Sequence, residues 1–434
     1  MRRSTAFITT ICLALLVAAG PVRAADKEFK LGVLFSLTGA FAPAGALAGY
    51  RGTMVAIDMI NERGGIGGEY TVVPVESDAQ SNPDIAIREA ERLMTVEDVP
   101  VILGVFSSAI AVPLAPMAEK NKRIFWVIIA ISDKVLQDRH LEYVFRAQPM
   151  GSQWGESSVN MLKDNLARFG YQDPEQLRVA FIHEDGPYGT SVSASSIALA
   201  EKYGMQKVLD EAYSVQTKDM SSLILKLKRA NPDAILHTGY FPDVVLFFRQ
   251  ARELGLRWKA LSGHGSGHAN IPLLQESLGQ EMMNSVFNVD PAPAQILDRS
   301  KLAAGVGDLV AEFLRRYEEK YGEANPPTHA TQGFGHTWIL LNEVVPLALK
   351  KYGEITPDTI RKAALEIDIP EGATPNGYGV KFAPPESAYA GQNLRSYPVV
   401  VQWSDGQPKI AWPGGLQTQA PVIPLPESSP FVTK

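Results

Sequence analysis

His264 and His268 stand four residues apart in the stretch His264-Gly-Ser-Gly-His268, a spacing that presents two imidazoles to one zinc ion when it falls on a helix. Here it falls in a glycine-rich loop with no third ligand in evidence, so a metal is not expected. The same glycines imitate a dinucleotide-binding turn, yet G-x-G-x-x-G requires glycine where His268 stands. There is no G-x-S-x-G, no P-loop and no H-E-x-x-H in the chain. No catalytic residue and no cofactor are therefore expected. The rival from another class is a hydrolase that sets His264 or His183 beside a serine. Anion binding is the other chemistry that residue type and place allow. Gly104-Val105-Phe106-Ser107-Ser108 joins a buried apolar run to a helix, and helix starts present unpaired N–H groups and positive dipole to which a serine hydroxyl adds a donor. On spacing alone, Ser107 or Ser108 serves equally well as a plain N-cap.

Residues of this kind need rigid elements to hold them. Lys30 to Ser36 is a short run of Leu, Val and Phe that reads as a strand buried on both faces. From about Ala46, the apolar positions Leu47, Tyr50, Met54, Ile57 and Ile60 recur at threes and fours, so one face of a helix is buried; Asn61 and Gly64-Gly65 stop it. Strand, loop and helix make the opening half of a βαβ unit, in which ligands sit at the carboxyl ends of strands. The loop from Ser36 to Ala44 is thus the first place to look for function. The pattern repeats: strands at Tyr70 to Glu76, Val101 to Gly104 and Ile124 to Ile131, with helices from Pro83, capped by Asn82, and over Ala109 to Glu119. After a crossover near Gln148 to Gly151, a second round begins. It has helices at Gln153 to Phe169, Ser191 to Tyr203, Met220 to Arg229 and Val244 to Leu254, and strands at Arg178 to His183, Val208 to Tyr213 and Ala234 to Thr238. Strands alternating with helices at this rhythm mean mostly parallel, doubly wound sheets, here in two α/β lobes. Further on come helices at Asp308 to Tyr321, Gly333 to Lys351 and Pro357 to Leu365, and a hairpin from Tyr397 to Trp412. From Gly414 the chain is rich in Pro, Gln and Ser and is expected to have no fixed structure.

With 434 residues, 45% of them hydrophobic and 20% charged, the chain is large enough for two separate cores. A net charge of -6 offers no basic surface, and nucleic acid is not an expected partner. Arg2 and Arg3 precede an apolar run from Ala6 to Ala19, and Val22-Arg23-Ala24 supplies small residues where a signal peptidase reads them. The run is shorter than the roughly 20 residues of a spanning helix. Residues 1–24 are read as a secretory signal and the mature protein as periplasmic. The sole cysteine, Cys12, lies inside that signal and follows Ile11, so the mature chain has neither disulfide nor thiolate chemistry.

The order strand, SLTGAFAPAG, helix, AIDMINERGGIGG, strand, SDAQSNP resembles the opening of the periplasmic substrate-binding proteins of the leucine/isoleucine/valine type, which serve ABC importers. That resemblance implies a type I periplasmic binding protein: two Rossmann-like lobes joined by a multi-strand hinge, with the ligand in the cleft. Lobe one would comprise residues 25–149 and about 290–393, lobe two 150–289 and about 394–413, with 414–434 a flexible tail.

It also implies roles for residues. Ser107 or Ser108 would bind the ligand carboxylate, and Ala130-Ile131-Ser132 would form the second carboxylate-holding loop, with Ser132 as its hydroxyl or else as a helix cap. In the loop His183 to Gly189, Tyr188 would close over the ligand, and Tyr240, first aromatic of Thr238 to Asp243, would contact it. His264 stands where the branched-chain amino acid binders carry the glutamate that pairs with the substrate ammonium; Asp185, Glu184 or Asp243 would have to take that part, because a buried ammonium needs a partner. Members of the subfamily often carry a cystine near the first binding loops, which this chain lacks. Ala44 replaces a common aromatic and would leave more room. The expected function is capture of a small amino acid, branched-chain or otherwise apolar, by a monomer that delivers it to a membrane permease. Aromatic or keto acids, amides or urea are the alternative.

Overall fold

Apolar runs without alternation, such as Leu31 to Phe35 and Val101 to Leu103, are satisfied only between two layers of helices, and they lie there with essentially no exposure. The computed structural model describes residues 27–432; the leader, its cut after Ala24 and Cys12 lie outside the described residues. The first sheet is built from β1 (Lys27–Phe35), α1 (Leu47–Glu62), β2 (Tyr70–Asp78), α2 (Pro83–Thr95), β3 (Val101–Gly104), α3 (Ser108–Lys120), β4 (Ile124–Val127) and β5 (Val144–Arg146). Its strand order is β2-β1-β3-β4-β5, all parallel.

The second lobe follows with α4 (Gly151–Asp164), α5 (Leu166–Phe169), β6 (Arg178–Glu184), α6 (Pro187–Lys202), β7 (Gln206–Tyr213), α7 (Ser221–Ala230), β8 (Ala234–Thr238), α8 (Phe241–Glu253), β9 (Ala260–His264), α9 (Ile271–Leu278), α10 (Gln280–Met283) and β10 (Phe287–Asp290). Helices α11 (Val306–Tyr321), α12 (Thr328–Trp338), α13 (Val345–Tyr352) and α14 (Pro357–Glu366) then return to the first lobe, where α12 packs along α1. The hairpin β11 (Val399–Ser404) and β12 (Gln407–Trp412) completes the second sheet, β12-β11-β10-β9-β8-β6-β7, with antiparallel pairing only at its β10, β11 and β12 edge. In each sheet the strand order reverses once, between β1 and β3 and between β6 and β8, and at such points loops diverge to leave a crevice for a ligand.

Chain segments pass between the sheets after β5, after β10 and before β11. Side chains knit them. Arg146, fully buried, donates through Nε to Gln392 Oε1 at 2.7 Å and through a terminal nitrogen to the Ser132 carbonyl at 2.7 Å. Gln392 and Asn393 in turn donate to the carbonyls of Gln148 and Ala147, each at 2.7 Å. Burial lowers the Arg146 pKa to about 10, with Asp133 working against that shift, so the cation persists at neutral pH.

Several expected boundaries move, for local reasons. The run Ile124 to Ile131 leaves the sheet at Val127, because the Ile128 and Ala130 amides donate to Gly104 and Val105 and swing the chain across the first lobe. Helix α6 begins at Pro187 rather than Ser191, since proline is pre-set for the first helical position. Helix α8 likewise starts early, at Phe241-Pro242, with Tyr240 as its N-cap. Ahead of the expected Gly333, α12 begins at Thr328. The expectation of an unstructured tail is corrected outright. Ile423, Leu425 and Phe431 are buried, and the Phe431 ring stacks on Trp258 at 4.2 Å. The Leu425 amide donates to the Lys259 carbonyl at 3.0 Å, and that of Trp258 to Phe431 at 3.3 Å. Proline-rich composition marked the segment as irregular, while its spaced apolar side chains anchor it to the second lobe.

Candidate functional site

The two crevices face each other, and the lobes are closed on one another. Tyr240 of the second lobe lies 4.6 Å from the Phe41 ring centre and brings its hydroxyl to 3.5 Å from Ser107 Oγ. Asn270 Nδ2 donates to the Pro43 carbonyl at 3.2 Å, and the Asp133 amide donates to Ser191 Oγ at 2.9 Å. Between them is a small cavity of about 20 Å³, little more than the room one water needs, as the lobes stand closed. Phe106, Ser108, Ile129, Ile131 and His329 line it from the first lobe; Trp154, Tyr188, Tyr240 and Ser266 line it from the second.

Helix starts dominate this lining. Ser108 opens α3, Trp154 lies in the first turn of α4, Tyr188 in that of α6 and His329 in that of α12, while Tyr240 caps α8. Five positive dipole ends thus border one cavity. A larger hollow of about 440 Å³, lined from residues such as Leu297, Tyr378, Tyr397 and Leu416, includes none of these helix starts.

Of the expected residues, Ser108, Tyr188 and Tyr240 line the cavity. Ser108 Oγ also accepts the Ser132 amide at 3.1 Å. Tyr188 OH donates to the His264 carbonyl, and burial drives both tyrosine hydroxyls further from ionisation. Ser107 is the N-cap of α3, its Oγ accepting from Ala109 at 3.2 Å while facing Tyr240. The Ala130 amide is taken by Val105, and Ser132 Oγ is buried without a partner just off the cavity lining.

His264 and Asp185 are not brought to the cavity. His264 ends β9, where Nε2 meets Ser158 Oγ and Nδ1 meets Thr238 Oγ1, each at 2.8 Å. Burial takes its pKa down to about 3, so it is a neutral ring saturated inside the second lobe. Asp185 is exposed at the surface. The other candidate acids are occupied at helix starts. Glu184, its pKa raised by burial, accepts the Gly186 and Gly189 amides at 2.7 and 2.5 Å. Asp243, raised by burial to about 7, accepts from Tyr213 OH at 2.6 Å and from the Tyr240 amide at 3.1 Å. The first loop is pinned by Asp78, which accepts the Leu37 and Thr38 amides and the Thr38 hydroxyl. Ala44 is buried and is not among the residues lining the cavity; Phe106 and His329 stand beside the neighbouring Gly45.

Three lining residues that went unnoticed in the sequence carry the unmet polar groups: Trp154 Nε1, Ser266 Oγ and His329 Nδ1, each buried and without a partner. Two glycines make room for Trp154 and His329. A Cβ at Gly45, whose φ is 144°, would lie 2.4 Å from His329 Nδ1, and one at Gly265, φ 63°, would lie 2.1 Å from the Trp154 ring. The clue available beforehand was slight: Gly265 and Ser266 lie in the His264 to His268 loop, and His329 follows Pro326-Pro327 at a helix start.

Comparison with known proteins fits this arrangement. A family model described as periplasmic binding protein matches residues 28–403. The Leu/Ile/Val-binding protein homolog 7 of Brucella suis is 34% identical over 400 residues, covering 92% of this chain and 94% of its own. Among solved structures, the branched-chain amino acid transporter substrate-binding protein LivJ of Streptococcus pneumoniae, in complex with isoleucine, superposes with a TM-score of 0.71 at 20% identity, covering 88% of this chain and 98% of its own. A solute-binding protein of an ABC transporter from Rhodopseudomonas palustris, in complex with benzoate, gives 0.70 at 17% identity, covering 88% and 94%. With two doubly wound lobes, a cavity at their facing switch points and a family match over most of its length, the chain belongs to the periplasmic binding proteins of the Leu/Ile/Val-binding type.

Proposed function

We propose that this protein is the extracytoplasmic solute-binding component of an ABC importer, closing on a small carboxylate-bearing solute and delivering it to a membrane permease. The observation that carries this reading is the cavity between the lobes, walled by both and bordered by five helix starts, which suits an anion held during hinge closure. Two solute classes suit its apolar and aromatic lining once the lobes part to admit them: an apolar amino acid, as the names of its relatives suggest, and an acid of similar bulk without the amino group. The lining residues have a task in holding the solute and none in reacting with it.

Calorimetric titration with such acids, followed by recovery of the ligand, tests this. Saturable binding with the ligand recovered unchanged is expected; turnover would make the protein an enzyme. Export is the second part of the reading. N-terminal sequencing of the protein from the periplasmic fraction should begin at Ala25, and an intact Met1 there would remove the signal.

A further inference from the structure

None of the nine residues lining the interlobe cavity is acidic. A buried ammonium without a counter-charge is strongly unfavourable, and the carboxylates nearest in sequence to the lining tyrosines are committed elsewhere. Glu184 accepts backbone amides of α6, Asp243 holds the start of α8 and Tyr213, and Asp185 faces solvent. Asp290, at the end of β10, is buried against Asn288 Nδ2 and Gln332 Nε2, each at 3.2 Å, and lines a different hollow. What the cavity offers instead is positive dipole ends and unmet polar groups. Trp154 Nε1 can only donate; Ser266 Oγ and His329 Nδ1 can donate to an oxygen. Burial lowers the His329 pKa to about 4, so its ring is neutral at pH 7 and adds no charge. The walls between these groups are aromatic: Phe106, Trp154, Tyr188 and Tyr240.

From this juxtaposition of helix starts, unpartnered donors and aromatic walls, with no carboxylate among them, we infer that the solute is a small acid without an ammonium group, a single-ring aromatic or compact apolar monocarboxylate. Its oxygens are held by the α3 start with Ser108 and by Trp154, Ser266 and His329, and its body lies between the aromatic rings, which must move apart by hinge opening because they now stand 5.2–6.2 Å from one another. This rests on the binding function proposed above and names the solute class for the same cavity.

The test is a thermal-shift and calorimetric panel on the full mature chain, freed of bound solute by unfolding and refolding. It compares leucine with 4-methyl-2-oxopentanoate, phenylalanine with phenylpyruvate, and benzoate with benzylamine. Ligand stabilises the folded state by mass action. At least one acid lacking nitrogen should raise the melting temperature, while its amine-bearing partner binds at least tenfold more weakly. Equal or tighter binding of the amino acids overturns the inference but leaves the binding function standing, and would direct attention to Asp290. Stabilisation by no carboxylate at all overturns both.

Trp154→Phe and His329→Phe test the residues. With the melting temperature of the empty protein within a few degrees of wild type, each should weaken the best acid roughly tenfold or more, the usual scale of a lost hydrogen bond to a charged group. Should either melt much lower, the wild-type response to the paired ligands still decides the matter. Unchanged affinity in both variants would remove these donors from the site and with them the inference.

Discussion

At the residue scale, two serines that look alike in sequence have different situations. Ser108 Oγ accepts the buried Ser132 amide and lines the cavity, whereas Ser132 Oγ has no partner and lies outside the lining. Ser108→Ala removes the hydroxyl from the solute and strands an N–H inside the first lobe. It should cost about 1–3 kcal/mol of stability and weaken solute binding about tenfold or more. Ser132→Ala removes a group that bonds nothing, so stability should stay within about 0.5 kcal/mol of wild type and affinity within about threefold. Urea unfolding and calorimetry on the two variants separate these outcomes. Equal losses in both would return Ser132 to the site.

The C-terminal segment is the clearest case at the scale of the element. Its regular hydrogen bonding is sparse and among the described residues it has no helix or strand beyond Trp412, so its place depends on apolar side chains reaching prepared partners. Phe431 is 1% exposed and stacked on Trp258, with Phe248 at 5.8 Å beside it. Truncating a buried phenylalanine costs about 3–5 kcal/mol. Phe431→Ala should therefore destabilise the protein by at least about 3 kcal/mol in urea, far more than removal of a loose tail would. A change below about 1 kcal/mol would mean that the segment detaches freely.

Across the whole molecule, stability is tied to pH by buried histidines. His268 has no hydrogen-bond partner on either nitrogen, lies against His237 and Phe248, and has its pKa lowered by burial from 6.5 to about 3, with the field of His264 adding to the effect. The unfolded chain takes up a proton on this ring below about pH 6.5, while the folded chain does not until about pH 3. Its contribution is therefore complete above pH 6.5 and is lost as the pH falls towards 3. At pH 5.5 the loss is about 1.4 kcal/mol. Asp243, raised to about 7, acts in the opposite direction over the same range, so the full curve is a sum, and one substitution isolates one term. The stability of His268→Phe relative to wild type should improve by about 1.4 kcal/mol between pH 7.5 and pH 5.5. A difference that does not vary with pH would show that His268 titrates normally.

What the sequence determined by itself is what neighbours along the chain decide. Unbroken apolar runs required buried parallel strands, threefold and fourfold spacing required helices with one buried face, and Asn82 before Pro83 located a helix start. The loop after β3 was legible on the same grounds as a helix start able to take an anion, whereas the loops after β6 and β8 were singled out by family resemblance; Ser107, Ser108, Tyr188 and Tyr240 lie at or beside the cavity. The tertiary structure alone decided which side chains converge. His264 was singled out because it stands where the resembled family carries a glutamate, yet Ser158 and Thr238, 106 and 26 residues away, take both its nitrogens. Trp154 gave no local signal and His329 only the slight one of Pro326-Pro327 before it, because each reaches the cavity through space left by a glycine in a distant segment. The charge of the cavity follows the same logic. Acids near it in sequence are drawn to helix starts by the amides of their own loops, and only packing reveals that none remains to face the solute.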